Sequence, residues 1–256
     1  AWIVNRSEDY DPSDPTLTEA DKEGTLRFAI EQAASNDFVL IDLRDSDDSS
    51  IAPTWPVTIR MEQPLAIHKN LSIFGPSADL LTLSGDLTGD GMGDHRLFEI
   101  QARVHMEGLT LADGDHPSSG GAVWIGPDGH LTMYACAVIN SSAGQWGGAI
   151  DCEQGALHLN QCLIQNNRTS DSFGQGGGAV ALYTSPASRL TNSTFSGNTE
   201  GGAGGFGGGA LYIENADISR EFSVDVEHCT FRGNLDFSGS GSSIRAEAFS
   251  TWVWML

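Results

Sequence analysis

The amino-acid sequence predicts an all-β fold, a right-handed parallel β-helix with a short N-terminal capping helix. A Gly-Gly phrase that recurs along the second half, a strand phrase between its copies, and one short helical segment near the start lead to this prediction. We interpret 1–256 as a single elongated domain. It would comprise an N-terminal cap at 1–38, degenerate coils at 39–115 and regular repeats at 116–256.

The recurring phrase consists of two glycines, an alanine and an aliphatic residue. Its four copies begin at Gly120, Gly147, Gly177 and Gly208, and a decayed fifth copy begins at Gly241. The spacings between successive copies are 27, 30, 31 and 33 residues. Self-similarity at a period of about 20–50 residues is typical of solenoids, propellers and arrays.

A second phrase lies between the copies of the first and alternates apolar with polar residues. Its copies occupy 133–138, 159–164, 190–195 and 226–231, and the period of two indicates β-strands. An asparagine follows each copy, namely Asn140, Asn167, Asn198 and Asn234. Because Asn tolerates left-handed backbone and can bond its own turn, we assign these residues to corners. Each repeat is therefore predicted to hold two or three short strands that stack at about 4.8 Å on the next coil.

One segment near the N-terminus has helical rather than strand periodicity. Leu26, Ala29, Ile30 and Ala33 fall on one face of a short helix, and Thr25 could cap it. A solenoid needs a cover at its open end, because the terminal coil otherwise exposes core and an unpaired strand edge. We therefore predict that residues 25–34 form this lid.

The repeat also places the four cysteines. Cys136, Cys162 and Cys229 share one column with Ser193, whereas Cys152 falls in the column of Ile125, Leu182 and Ile213. Both columns are predicted to point inward, where a free Cys behaves as a small buried hydrophobe. A disulfide between Cys136 and Cys162 is the alternative. The spacings of the four cysteines match no zinc motif.

The composition is strongly acidic. Asp and Glu number 34 against 13 Lys and Arg, which gives a net charge of −21. Such a surface repels nucleic acid and anionic membranes, and it fits a well-solvated extracellular, high-salt or cation-binding protein. No apolar run reaches the roughly 18–20 residues that a transmembrane helix needs. Without an initiator Met or signal peptide, we expect a mature or trimmed fragment. The final residues 252–256 would either cap the last coil or lead into further chain.

The strands after the Gly-Gly phrases give the candidate binding face. Their alternation predicts six outward residues of interest: Trp124, Asp151, Glu153, Tyr183, Tyr212 and Glu214. Aromatic rings beside carboxylates suit stacking on sugar rings with hydrogen bonds to the hydroxyls. The alternative is that aromatics favour strand surfaces in general and that the acids keep the face soluble. A hydrolytic pair, if present, would combine Asp151 or Glu153 with Glu214.

A glycine-rich acidic loop is the one candidate for a metal site. Asp86, Asp90 and Asp94 alternate with glycines at 89, 91 and 93, and Ca²⁺ takes six to eight oxygen ligands. The order does not match an EF-hand loop, so a mobile acidic surface loop that attracts cations diffusely is the alternative. We therefore expect no cofactor, with Ca²⁺ as the open possibility.

The sequence motifs of the repeats resemble those of a known family. Gly-Gly-Ala followed by Ile, Val or Leu, alternating with Phe-x-x-Asn at Phe195–Asn198 and Phe231–Asn234, is similar to the repeats of the chlamydial polymorphic outer-membrane proteins and the wider group of bacterial surface β-helix proteins. The first repeat departs from the pattern, because its Asn140 comes one place early. The segment Gly24–Ile30 resembles a phrase that precedes such repeats in many secreted bacterial proteins. The resemblance implies a β-helix at the bacterial cell surface and says little about chemistry.

These observations favour a non-catalytic cell-surface or secreted module, an adhesin-like or passenger-like β-helix that presents a flat face and loops to a partner. The partner would be a host or neighbouring-cell surface, or a polysaccharide. The alternative is a polysaccharide-active enzyme, a lyase or a glycoside hydrolase, that uses the outward face of the Gly-Gly strands. The sequence favours the first hypothesis, because it has only two lysines, Lys22 and Lys69, and none of the catalytic phrases typical of such enzymes.

Overall fold

The computed structural model describes residues 1–43, 55–169, 176–183, 187–202, 206–215, 222–238, 243–248 and 254–255. The strands in these segments pair in parallel and form four sheets. The first two strands pair with each other in one sheet, whereas from the second strand onward successive strands belong to different sheets. Each strand inside a sheet pairs with strands one coil before and one coil after it. This arrangement confirms the predicted parallel β-helix. No helix in the described segments is long and apolar enough to cross a membrane.

Sheet 1 has nine strands, and sheet 2 contains the strands that follow the Gly-Gly phrases. Sheet 1 consists of β1 (Trp2–Val4), β2 (Asp37–Ile41), β5 (Leu71–Phe74), β8 (Arg103–Glu107), β12 (His130–Tyr134), β16 (Ala156–Asn160), β20 (Ser188–Thr191), β24 (Val224–Glu227) and β28 (Trp254–Met255). Sheet 2 consists of β4 (Leu65–Ile67), β7 (Phe98–Ile100), β11 (Val123–Ile125), β15 (Ile150–Glu153), β19 (Val180–Tyr183), β23 (Leu211–Asn215) and β27 (Ile244–Ala248).

Sheets 3 and 4 complete each coil. Sheet 3 consists of β3 (Val57–Arg60), β6 (Leu81–Ser84), β9 (Thr110–Ala112), β13 (Ala137–Ile139), β17 (Leu163–Gln165), β21 (Thr194–Ser196) and β25 (Thr230–Arg232). Sheet 4 consists of β10 (Asp115–His116), β14 (Ser142–Ala143), β18 (Arg168–Thr169), β22 (Thr199–Glu200) and β26 (Leu235–Asp236). The regular coils thus have four strands, not the two or three predicted. A two-residue strand such as β14 is too short to show alternation in the sequence.

The glycines of the recurring phrase are required by the backbone. The first glycine of each of the four full copies, such as Gly147, has a positive φ, which an L side chain rarely adopts. Gly241 of the decayed copy lies outside the described residues. At the second position, a Cβ on Gly121 would overlap the carbonyl oxygens of Ser142 and Gly148 in the next coil. The phrase therefore marks a corner where successive coils approach too closely for any side chain.

The asparagines are not the left-handed corner residues that we predicted, except Asn140. In the later coils, the positive φ belongs to the residue before, as at Asn166 and Gly197. The buried asparagines instead form a ladder. Asn167 Nδ2 donates to Asn198 Oδ1 at 3.1 Å, and Asn198 Nδ2 donates to Asn234 Oδ1 at 2.9 Å. Each amide also bonds main-chain groups, which satisfies polar groups that burial would otherwise penalise.

The inward cysteine columns are confirmed. Cys152 pairs in register with Ile125 and Leu182 and is fully buried. Cys136 and Cys162 are buried thiols without a disulfide, and Cys229 is a partly buried one. Burial raises the pKa of Cys136 to about 12 and that of Cys162 to about 11, so both thiols are protonated at neutral pH.

The predicted helical lid is present as α2 (Leu26–Gln32), which follows a short α1 (Glu19–Lys22). Thr25 caps α2 by accepting a hydrogen bond from the Phe28 amide at 3.3 Å, as predicted. A buried ion pair, Arg27 Nη2 to Asp9 Oδ2 at 2.7 Å, fixes the cap to the preceding segment. At the other end, residues 252, 253 and 256 lie outside the described residues, while β28 pairs with β24.

Candidate ligand-binding site

Two columns of outward residues run along sheet 2 across successive coils. Their register is fixed by the parallel pairing. The first column contains Glu99, Trp124, Asp151, Ala181, Tyr212 and Arg245, and the second contains Glu153, Tyr183, Glu214 and Glu247. All six residues predicted for the binding face therefore lie on one face of one sheet, on adjacent strands.

This face is not flat and open, contrary to the prediction. Asp151 is 6% exposed and Tyr212 is 0% exposed. The Trp146 ring covers this part of the sheet, with its centroid 5.1 Å from that of Tyr212. The Phe206 ring stacks on Trp146 at 5.9 Å with an interplanar angle of 15°. The alternation of a strand tells which side a residue faces, but not which side chains from other segments lie over it.

Gly176 leaves the space that the Tyr212 ring occupies. It forms an isolated parallel bridge with Trp146 one coil before it. A Cβ at Gly176 would lie 2.9 Å from the Tyr212 ring, and the φ of +146° is also unfavourable for other residues. The Tyr212 hydroxyl donates to Glu214 Oε2 at 2.8 Å, and burial followed by this contact raises the pKa of Tyr212. Tyr212 and Glu214 thus support the aromatic cluster from below.

A cavity of about 380 Å³ lies beside this aromatic cluster. It is lined by Ser119, Trp146, Asp151, Glu153 and Tyr183. Three of the six predicted residues, Asp151, Glu153 and Tyr183, are therefore brought together in one cavity. The other three, Trp124, Tyr212 and Glu214, do not line it.

The electrostatics of the cavity centre on Asp151. Burial and the neighbouring Glu153 raise the pKa of Asp151 to about 7, although Arg96 and a hydrogen bond with Ser119 act in the opposite direction. A carboxyl group with this pKa is present in both protonation states near neutral pH. The protonated form can therefore donate a hydrogen bond to a bound hydroxyl, and the ionised form can accept one from it. Strongly perturbed acids in a cleft are characteristic of functional sites.

Arg96 holds the wall of the cavity in place. Its side chain is buried, and it donates to the carbonyl oxygens of Gly120, at 2.9 Å, and Ser119. Its Nη1 also pairs with Glu99 Oε1 at 3.0 Å. Burial lowers the pKa of Arg96, and the two nearby acids, Glu99 and Asp151, oppose that change. The Gly-Gly corner that carries Ser119 is thus tied to the sheet below it.

The acidic loop has a different organisation. The Asp86 carboxylate accepts the backbone amides of Gly89, Asp90 and Gly91 at 2.6, 3.2 and 2.9 Å. Asp94 Oδ2 accepts two further amides of the same loop, and Asp90 accepts one. The described residues contain no group of three or more His, Cys, Asp or Glu side chains placed to hold a metal ion. No such group among these residues includes Asp86, Asp90 and Asp94, and the calcium site stays a prediction.

Sequence reasoning missed Arg96, Ser119, Trp146 and Phe206. A positional signal existed for two of them, since Ser119 and Trp146 each stand directly before a Gly-Gly phrase. Arg96 and Phe206 have no counterpart in the repeat pattern, so only the structure could assign them to the site.

Comparison with known proteins gives one relative. Over 128 residues, the chain is 30% identical to the probable autotransporter YfaL of Escherichia coli (strain K12). The match covers 47% of this chain and 10% of the relative, so the chain spans about a tenth of the length of the curated relative it matches. No family model and no solved structure matches the chain. The resemblance to the chlamydial repeats thus stays a prediction, whereas similarity to a probable autotransporter is shown over about half of the chain.

Proposed function

We propose that this chain is a surface or secreted β-helix passenger that binds a glycan without catalysis, in the cavity beside Trp146. The similarity to a probable autotransporter and the acidic, well-solvated composition support the location. A β-helix is also suited to this role, because a solenoid presents an extended surface to its partner.

The observation that carries the binding proposal is the combination of rings and acids in one cavity. Trp146 and Tyr183 lie 6.5 Å apart between ring centroids, and the carboxyl groups of Asp151 and Glu153 line the same cavity. Aromatic faces stack on the apolar faces of sugar rings, while carboxyl groups bond the hydroxyls. The cavity volume of about 380 Å³ falls within the range of about 300–1,000 Å³ that small-ligand sites occupy.

Phe206 extends the platform beyond the cavity. It stacks on Trp146, and 45% of its side chain is exposed. A glycan of several residues could therefore place one sugar in the cavity and the next against Phe206. We expect recognition of an oligosaccharide rather than a monosaccharide.

The test is a glycan array followed by titration of the best ligand with Trp146→Ala. We expect a loss of affinity of about tenfold or more, because buried aromatic anchors dominate such sites. Trp124→Ala is the matched control, as it removes a tryptophan of sheet 2 that lies outside the cavity lining, and it should leave affinity unchanged. Equal losses in both variants, or a protein that binds no glycan, would contradict the proposal.

Glycoside hydrolysis is the second candidate, favoured by the raised pKa of Asp151. An acid that is partly protonated at neutral pH can protonate a leaving group, and Glu153 supplies a second carboxylate in the same cavity. An assay for reducing ends distinguishes hydrolysis from binding without catalysis. The protein is incubated with a panel of neutral and uronic-acid polysaccharides. Turnover that Asp151→Asn abolishes while binding persists would establish the enzyme and overturn the non-catalytic proposal.

A further inference from the structure

Sheet 1 carries a second groove, separate from the cavity on sheet 2, in which basic groups are concentrated. The groove has a volume of about 450 Å³, and its lining includes Phe38, Asn70, Arg103, His105, His130 and His158. Three of the chain's seven histidines thus line one groove of a protein with a net charge of −21. Such a concentration of basic groups is unusual on so acidic a surface.

The strand register places these groups in rows. His105, Thr132 and His158 form one outward column on successive strands, and Arg103 and His130 stand next to each other in a second column. Neighbouring strands lie about 4.8 Å apart, so the imidazoles on β8, β12 and β16 line a path that runs across the sheet. The two strand spacings from β8 to β16 give this path a length of about 10 Å.

Few acids face this path. Glu107 Oε2 lies 3.3 Å from His105 Nε2, and it is the one carboxylate paired with the groove residues within the described part of the chain. The acids Asp225 and Glu227 pair with Arg189 further along the sheet. Asp37 accepts hydrogen bonds from Trp2 and Ala34 beside the groove. Arg103 is exposed, so its positive charge is available to a ligand.

Burial has the largest effect on the pKa of His130 and lowers it. The charges of Arg103 and then His158 lower it further. His130 is therefore neutral at pH 7 to 8 and gains its charge only at a lower pH than an ordinary histidine does. An anion bound beside it would raise that pKa, and proton uptake would then accompany binding.

We propose that this groove binds an anionic polysaccharide, one with carboxylate or sulfate groups, and binds it more tightly at acidic pH. Phe38, with 54% of its side chain exposed, offers a ring for sugar stacking, and Asn70 and Thr132 offer groups for the hydroxyls. An acidic peptide fits less well. The groove strands β5, β8, β12 and β16 are paired on both sides, so they leave no strand edge to which a peptide could add.

The test measures binding of polygalacturonate at pH 5.5 and pH 8, with dextran as the neutral control and poly-glutamate as the peptide control. We expect binding of polygalacturonate to be about tenfold tighter at pH 5.5, and dextran to bind at neither pH. Equal affinity at both pH values, or equal binding of poly-glutamate, would overturn the proposal.

Variants locate the site. His130→Gln should reduce the pH dependence severalfold, and Arg103→Gln should weaken binding at both pH values. Glu107→Gln should strengthen it, because it removes the acid that competes for His105. The exposed His68 lies outside the groove lining, so His68→Gln is the matched control and should bind as the unchanged protein does. Equal effects of His130→Gln and His68→Gln would refute the assignment.

This site is independent of the one on sheet 2. Trp146→Ala should leave polygalacturonate binding unchanged, and His130→Gln should leave binding of the array ligand unchanged. Loss of both activities in either variant would show that one glycan spans both surfaces, and it would overturn the assignment of two separate sites.

Discussion

Two acidic regions of this chain have opposite chemistry. In the loop at 86–94, burial raises the pKa of Asp86, but hydrogen bonds from the Gly91, Gly89 and Asp90 amides outweigh that effect and leave the pKa lowered. In the cavity on sheet 2, burial and Glu153 raise the pKa of Asp151 to about 7. Both regions look alike in the sequence, as acids close to glycines.

The difference comes from backbone amides. The loop folds around Asp86, so its carboxylate is stabilised in the charged form and the acid contributes to local structure. Asp151 projects from a strand whose amides are committed to the sheet, so its environment is provided by side chains and by burial. When the fold stabilises the charged form of an acid, that acid contributes to the structure. When the fold destabilises the charged form, the acid is a candidate for function.

The largest expected effect is on stability in Asp151→Asn. Because the folded pKa is raised, the ionised carboxylate costs stability. This cost is absent below the unfolded pKa, grows as the pH rises, and is complete above about pH 7. The variant should therefore be more stable by roughly 4 kcal/mol at pH 8.5 and nearly unchanged at pH 4. Urea denaturation at both pH values measures this. The exposed Asp128→Asn is the control, and an equal gain there would contradict the prediction.

Asp86→Asn should change the stability in the opposite direction, lowering it, and by a smaller amount. The lowered pKa of Asp86 means that its charge stabilises the fold above the unfolded pKa, and this contribution is lost as the pH falls through the folded value. The variant should unfold at a lower urea concentration at pH 7, and the difference should narrow toward pH 3. A variant that is as stable as the unchanged protein at pH 7 would show that the amide contacts carry no net stabilisation.

Glu153→Gln sharpens the account of Asp151. Glu153 is the second cause of the raised pKa, so its neutralisation should lower the pKa of Asp151 while burial keeps that pKa above the ordinary value. Because Glu153 is exposed, we expect a change in stability of less than about 1 kcal/mol. A carboxyl-carbon NMR titration of Asp151 follows the shift directly, and an unchanged titration would remove Glu153 from the explanation.

The smallest expected effect is that of calcium on the loop. Since Asp86, Asp90 and Asp94 accept amides within the loop, Ca²⁺ should change the melting temperature little, and Asp90→Asn should alter that response barely at all. A large rise in melting temperature that Asp90→Asn abolishes would instead show that the loop rearranges into a specific site.

The repeats made the fold of each coil predictable, whereas the contacts between coils were visible only in the structure. The Gly-Gly phrase and the alternating strands predicted the parallel β-helix and the inward cysteine columns, and the helical spacing from Leu26 to Ala33 predicted the capping helix. The role of Asn198 could not be predicted, because its partners Asn167 and Asn234 are 31 and 36 residues away in the chain. The two-residue strands of sheet 4 were missed for lack of a detectable period.

The sequence by itself determined the fold class and the face on which Asp151, Glu153 and Tyr183 lie, because both follow from local period and register. Only the tertiary structure decided that Trp146 and Phe206 cover part of that face, that Arg96 holds its wall, and that three histidines on sheet 1 line one groove. The physical reason is that burial and the environment of a charge depend on side chains brought from other coils, and no local pattern records them.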